Sequence, residues 1–111
     1  MVNIERIDNV EVVSFTVNKI NALIADEIRD SIIKVFDNAN TKLVIDLKGV
    51  DYIDSSGFGC FLSVYKAAKN NYGTLKFAGA EPPVKALIET LHLNTVFEIF
   101  SDKESCVKSF K

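Results

Sequence analysis

Two adjacent serines, Ser55 and Ser56, stand between an acid and a glycine in Asp54-Ser55-Ser56-Gly57-Phe58-Gly59. A serine attacks a substrate when a base, usually histidine, takes its proton and an oxyanion hole receives the developing charge. The chain has one histidine, His92, near the end of a later helical pattern, and nothing in the spacing places it beside the serines. The Gly-x-Ser-x-Gly nucleophile elbow is also missing, because Ile53 and Asp54 stand where its first glycine would be. Serine hydrolysis is therefore disfavoured. The plainer role is structural, since Asp and Ser side-chain oxygens accept the orphan N–H groups at a helix start. A helix start presenting two hydroxyls is also a place where a negative charge can be set down and read.

Other residue types give less. Gly57-Phe58-Gly59 lacks the further glycine of a dinucleotide fingerprint and the Lys-Ser/Thr of a Walker motif. Its glycines instead leave the helix start bare, so that a protein or a phosphoryl donor can approach the hydroxyls. Asp46, Asp51 and Asp54 are close in sequence, but not at the spacing of a calcium loop, and carboxylates around turns are usually caps. No metal site is expected. His92 reads as a surface residue near a helix C-terminus. Lys66 and Lys69 read as the solvated face of the serine helix or as a rim around a docking surface.

The elements that must position the serines follow from periodicity. Leu43–Leu47 is a short apolar run rich in Val, Ile and Leu, and predicts a buried strand that feeds the serine loop. The helical pattern after it covers Phe58 to Asn70, with Phe58, Phe61, Leu62, Tyr65 and Ala68 as the buried stripe, widened by Cys60 and Val64. Asn70-Asn71-Tyr72-Gly73 predicts an end assisted by Gly or Asn. Upstream, Val2–Ile7 and Val10–Val17 predict a hairpin turning at Asp8-Asn9, then a loop over Asn18–Asn21. A helix is expected over Ala22–Ala39, with Asp26 and Glu27 early in it. Thr74–Ala78 predicts a strand, Pro82-Pro83 opens a third helix with Val84, Leu87, Ile88 and Leu91 inward, and Val96–Phe100 predicts a last strand. Ser101 and Glu104 have capping-box spacing before a terminal helix docked by Val107 and Phe110. The order ββαβαβαβα implies one α/β domain over residues 1–111: an N-terminal hairpin, then right-handed βαβ units, with about four helices.

Composition narrows the function. Hydrophobic residues make up 48% of the 111 residues and charged ones 25%, which fits a globular chain and excludes disorder. The net charge of −2 supplies no basic field, so nucleic-acid binding is disfavoured. No apolar run approaches the ~20 residues of a membrane span, and the N-terminus does not read as a signal peptide. Cys60 and Cys106 have no metal-ligand spacing and read as reduced thiols in a cytosolic core.

Asp54-Ser55-Ser56-Gly57-Phe58-Gly59, preceded by Leu43-Val44-Ile45-Asp46-Leu47, resembles the STAS family of bacterial anti-sigma factor antagonists and sulfate-transporter cytoplasmic domains. The resemblance covers nearly the whole chain, including the Pro-Pro-Val start of the third helix. It implies the STAS (SpoIIAA-like) fold and a non-enzymatic switch without cofactor. By that resemblance Ser55 is the residue phosphorylated by an anti-sigma factor, an ATP-dependent serine kinase. The unphosphorylated form binds that kinase and frees a sigma factor, and a PP2C-type phosphatase resets the cycle in the cytoplasm. Asp54, Ser56, Gly57, Phe58 and Asn21 are the partner-binding positions it implies. There is one departure: where the family usually has Gly-Glu-Leu-Asp, this chain has Asn18-Lys19-Ile20-Asn21.

Two other readings stay open. An accessory STAS subunit of a lipid-transport ABC complex would dock permanently, without phosphorylation. A small-ligand or nucleotide-binding domain would use the serine loop as a phosphate cradle. The Asp54-Ser55 pair favours the switch, and the altered Asn18–Asn21 loop leaves room for the permanent subunit.

Overall fold

In the computed structural model, which describes residues 1–37 and 39–111, Val2–Ile7 (β1) and Val10–Phe15 (β2) form the expected antiparallel hairpin. Its two turn residues, Asp8 and Asn9, have φ of 51° and 66°. A two-residue turn that follows the strand twist needs positive φ at both positions, and Asp and Asn tolerate it. From β2 the chain builds outward in parallel steps. Lys42–Asp46 (β4) pairs with β2, Thr74–Ala78 (β6) with β4, and Ile99–Phe100 (β7) with β6, giving the order β1-β2-β4-β6-β7. A separate two-stranded parallel sheet joins Lys19–Ile20 (β3) to Tyr52–Ile53 (β5). These two strands fall where loops were expected.

Three helices cover one face of the main sheet. Ala25–Ile33 (α1), Ser55–Asn70 (α2) and Pro82–Thr90 (α3) bury Ile28, Ile32, Phe61, Val64, Val84 and Ile88 against Val13, Leu43, Ile45 and Phe77. Phe61 lies edge-on to Phe15 and Phe77, and Phe77 leans on Phe97 at 4.5 Å between centroids. Lys103–Lys108 (α4) covers the other face, where Cys106 and Val107 meet Val10, Val12, Val44 and Ala78. The central strands are thus buried on both sides, so Val44 and its neighbours Leu43 and Ile45 are all apolar. On α4's side, Lys76 Nζ donates to Ser109 Oγ at 2.9 Å and lies 4.4 Å from the Phe110 ring centre, which pins the tail.

Several boundaries move. The first helix runs only over Ala25–Ile33 and tightens into a 3-10 turn over Lys34–Asp37, where Asn71 Nδ2 donates to the Phe36 carbonyl at 2.8 Å. Ala39 is an exposed turn residue, and Asn38, also within the expected helix, lies outside the described residues. At its start, the Asn21 carbonyl accepts the Ile24 and Ala25 N–H groups and Asn21 Oδ1 accepts the Leu23 N–H, so Ala22–Ile24 is a turn. α2 begins at Ser55 instead of Phe58, and the left-handed residue beyond its end is Tyr72, with φ of 59°, not Gly73 or an asparagine. The last strand shrinks to Ile99–Phe100 because Leu93–Thr95 coils as a 3-10 turn and leaves Val96 exposed. α4 is capped by Asp102, whose Oδ1 accepts the Ser105 N–H at 2.8 Å, so the Ser101/Glu104 spacing is not the cap. Leu62 and Leu91, expected inside, are 36% and 51% exposed.

Candidate functional site

The serine loop starts where β4 ends. Asp46 is buried, and its Oδ1 accepts the Lys48 N–H at 3.2 Å, while Glu81 Oε2 accepts the Gly49 N–H at 2.7 Å. These bonds hold the 48–50 turn, with Gly49 at φ 87°, against the start of α3. The chain then enters β5. Ile53 points inward beside Ile20, and Tyr52 outward beside Lys19. Two flanking backbone bonds extend the ladder: Asp51 N–H to the Asn18 carbonyl at 2.8 Å, and Asp54 N–H to the Ile20 carbonyl at 3.1 Å. The Asn18–Asn21 segment is therefore stitched to the residues just before the serines.

Asp54 is extended, with φ −89° and ψ −176°, and caps α2: its Oδ1 accepts the Gly57 N–H at 3.0 Å and its carbonyl accepts the Phe58 N–H. Ser55 and Ser56 occupy the first two helical positions and are exposed. The cap is thus the acid, and the hydroxyls are left out of the capping bond. Down the same helix, Gly59, Leu62 and Lys66 continue an exposed stripe. Lys69 is also exposed, its Nζ 5.3 Å from the Tyr65 ring centre.

The two glycines differ. A Cβ on Gly59 would meet nothing within 4 Å, so this glycine does leave the helix bare. A Cβ on Gly57 would stand 2.5 Å from Ile53 Cγ2, 3.0 Å from Ile20 Cγ2 and 3.2 Å from the Ile20 carbonyl oxygen. Gly57 is buried, and its lack of a side chain lets α2 sit down on the β3–β5 ladder. Phe58 is 5% exposed. Gly57 and Phe58 therefore bear on any surface contact through the position of the helix start, whereas Asp54 is half-buried and Ser55 and Ser56 are open. Asn21 is half-buried, one residue beyond the carbonyl that holds Asp54.

The remaining candidates disperse. Asp46, Asp51 and Asp54 do not converge: the first bonds its own turn, the second is exposed and the third caps α2. His92 is exposed in a left-handed conformation after α3, and no hydrogen bond among the described residues links it to either serine. Both cysteines are buried free thiols; burial pushes Cys60 up to about 11 and Cys106 to about 12, so neither is a ready nucleophile. A cleft of about 370 Å³ is lined by Arg6, Glu11, Asn40 and Lys42, at the end of the strands away from the serines. No helix among the described residues is long and apolar enough to cross a membrane.

Comparison with known proteins agrees with this architecture. BtrV of Bordetella bronchiseptica, provisionally named an anti-sigma factor antagonist, is 25% identical over 92 residues, covering 83% of this chain and 79% of BtrV. An anti-sigma factor antagonist (STAS) domain protein from Planctomyces limnophilus superposes with a TM-score of 0.89 at 20% identity, covering 97% of this chain and 96% of that one. An anti-sigma factor antagonist from Mycobacterium paratuberculosis gives 0.82 at 24% identity, over 98% and 92% of the two chains. The STAS domain model matches residues 1–106, and with the mixed sheet and the capped serine loop in place, the chain belongs to the STAS domain family.

Proposed function

We propose that this chain is an anti-sigma factor antagonist of the cytoplasm that works as a phosphorylation switch at Ser55. The observation that carries the reading is that Ser55 is exposed on a backbone fixed from both sides, by the Asp54 cap and by the β3–β5 ladder. A kinase can reach such a hydroxyl, and a phosphate there changes charge without unfolding anything. The modification adds about −1.5 to −2 charges at neutral pH. The start of α2 tolerates that anion, because the helix dipole favours negative charge there. A protein docked over Ser55, Gly59 and Leu62 would instead meet new bulk and charge in its contact surface. Unmodified chain then binds the anti-sigma factor, a serine kinase, and releases a sigma factor. Phosphorylated chain is free of it, and a PP2C-type phosphatase returns it to the binding form. The names of BtrV and of the structural neighbours support the antagonist part of this reading.

The test is incubation with the cognate kinase and ATP, followed by fragment mass spectrometry. Phosphate on Ser55, and no labelling of Ser55→Ala, is the expected result. Phosphate on Ser56 alone, or labelling that survives Ser55→Ala, contradicts the assignment.

A further inference from the structure

The β3–β5 ladder does more than hold the serine loop. Its parallel register sends Ile20 and Ile53 inward and leaves Lys19 and Tyr52 side by side on the outer face. Lys19 is exposed, and among the described residues no carboxylate lies within ion-pairing distance of its ammonium. Tyr52 is 48% exposed, and Leu23, at the tip of the turn held by Asn21, is 91% exposed. A tyrosine presented on fixed backbone, in register with that exposed lysine, has the makings of an anchor with a charge beside it.

We propose that Lys19 and Tyr52 form the specificity-determining rim of the docking surface. Its occupant is a protein face that sets a carboxylate against Lys19 and apolar surface against Tyr52. This rests on the switch reading above and says which anti-sigma factor the chain accepts: one with an acidic docking face. Charge complementarity of this kind sets partner choice and encounter rate, and a like charge in the same place excludes the wrong partner. It also sharpens the switch, because an acidic face that attracts Lys19 repels a phosphate on Ser55.

The experiment is calorimetric titration of the kinase that phosphorylates Ser55 with wild type, Lys19→Ala, Lys19→Glu and Tyr52→Ala, at two ionic strengths. Far-UV dichroism is the folding control. At low salt, Lys19→Glu should weaken binding roughly ten- to a hundredfold and Lys19→Ala by less, and the gap between them should narrow at high salt. Tyr52→Ala should lose about tenfold at both ionic strengths. Wild-type affinity matched within about twofold by Lys19→Glu overturns the inference and leaves the switch intact. So does a Lys19-dependent affinity for phosphatidylserine vesicles with kinase binding unchanged. A kinase that neither labels nor binds the wild-type chain removes the switch reading, and this inference falls with it.

Discussion

Replacing Gly57 by alanine tests whether the serine loop is held by close packing. The added methyl would stand 2.5 Å from Ile53 Cγ2 and 3.0 Å from Ile20 Cγ2, with the Ile20 carbonyl oxygen at 3.2 Å. Ile20 is 0% exposed and Ile53 1%, so neither side chain can swing into solvent, and the carbonyl is held by the Asp54 N–H. Overpacking of this kind costs ~1–3 kcal/mol. Alanine's better helix propensity returns at most ~1 kcal/mol, and less in the first turn. The expected net loss is ~1–2 kcal/mol, which in a chain of this size lowers Tm by roughly 4–10 °C. Gly59→Ala is the matched control. Its methyl meets nothing within 4 Å, it lies on the exposed side of the same helix, and it should raise stability by ~0.5–1 kcal/mol. Urea unfolding followed by far-UV dichroism gives both values. Gly57→Ala as stable as Gly59→Ala would refute the close approach of α2 to the β3–β5 ladder.

Asp54→Ala removes the acceptor of the Gly57 N–H and should cost ~1 kcal/mol in urea unfolding, with Asp54→Asn recovering most of it. At alkaline pH, burial has raised Cys60 from 9.0 to about 11 and Cys106 from 9.0 to about 12. Their stabilising contribution is therefore full below pH 9 and is lost as pH rises through those values; a Cys60→Ala/Cys106→Ala variant, though less stable at pH 7, should show a shallower alkaline limb, and parallel limbs would contradict this. At acid pH, the Ser105 backbone N–H, with the Ser105 hydroxyl second, holds the Asp102 carboxylate below 3.8. Wild type should lose that stabilisation as pH falls below 3.8, and Asp102→Asn, which can still cap, should lose less over the same interval; equal losses in urea midpoints at pH 4 and pH 3 would count against the cap.

Most of the main sheet is readable in the sequence because its longer strands carry strong local signals, whereas the two-residue β7 is not delimited by any. Asp8-Asn9 marks the hairpin, the Leu43–Leu47 run is too short and too apolar for a helix, and Pro82-Pro83 announces α3. The β3–β5 ladder was not readable, since two residues in each strand give no periodicity. Its one trace is the matched polar-apolar pairs Lys19-Ile20 and Tyr52-Ile53. The difference between Gly57 and Gly59 is hidden for a related reason: only the packing of Ile53 and Ile20 against the helix start shows that one position has no room for a side chain and the other has. The early end of α1 likewise depends on Asn71, a tertiary partner that intrinsic propensity cannot report. Ser55 stands out in the sequence through its neighbours Asp54 and Gly57, but its exposure depends on Asp54 taking the capping bond that either serine could make.

On the proposed switch, phosphate on Ser55 ends partner binding while the fold persists. Its most direct test is calorimetric titration of the anti-sigma factor kinase with chain phosphorylated only on Ser55, beside the unmodified chain. At least a hundredfold loss of affinity is expected, about 2.7 kcal/mol, with superimposable far-UV spectra. Equal affinities for the two forms, with phosphate verified on Ser55, would contradict it.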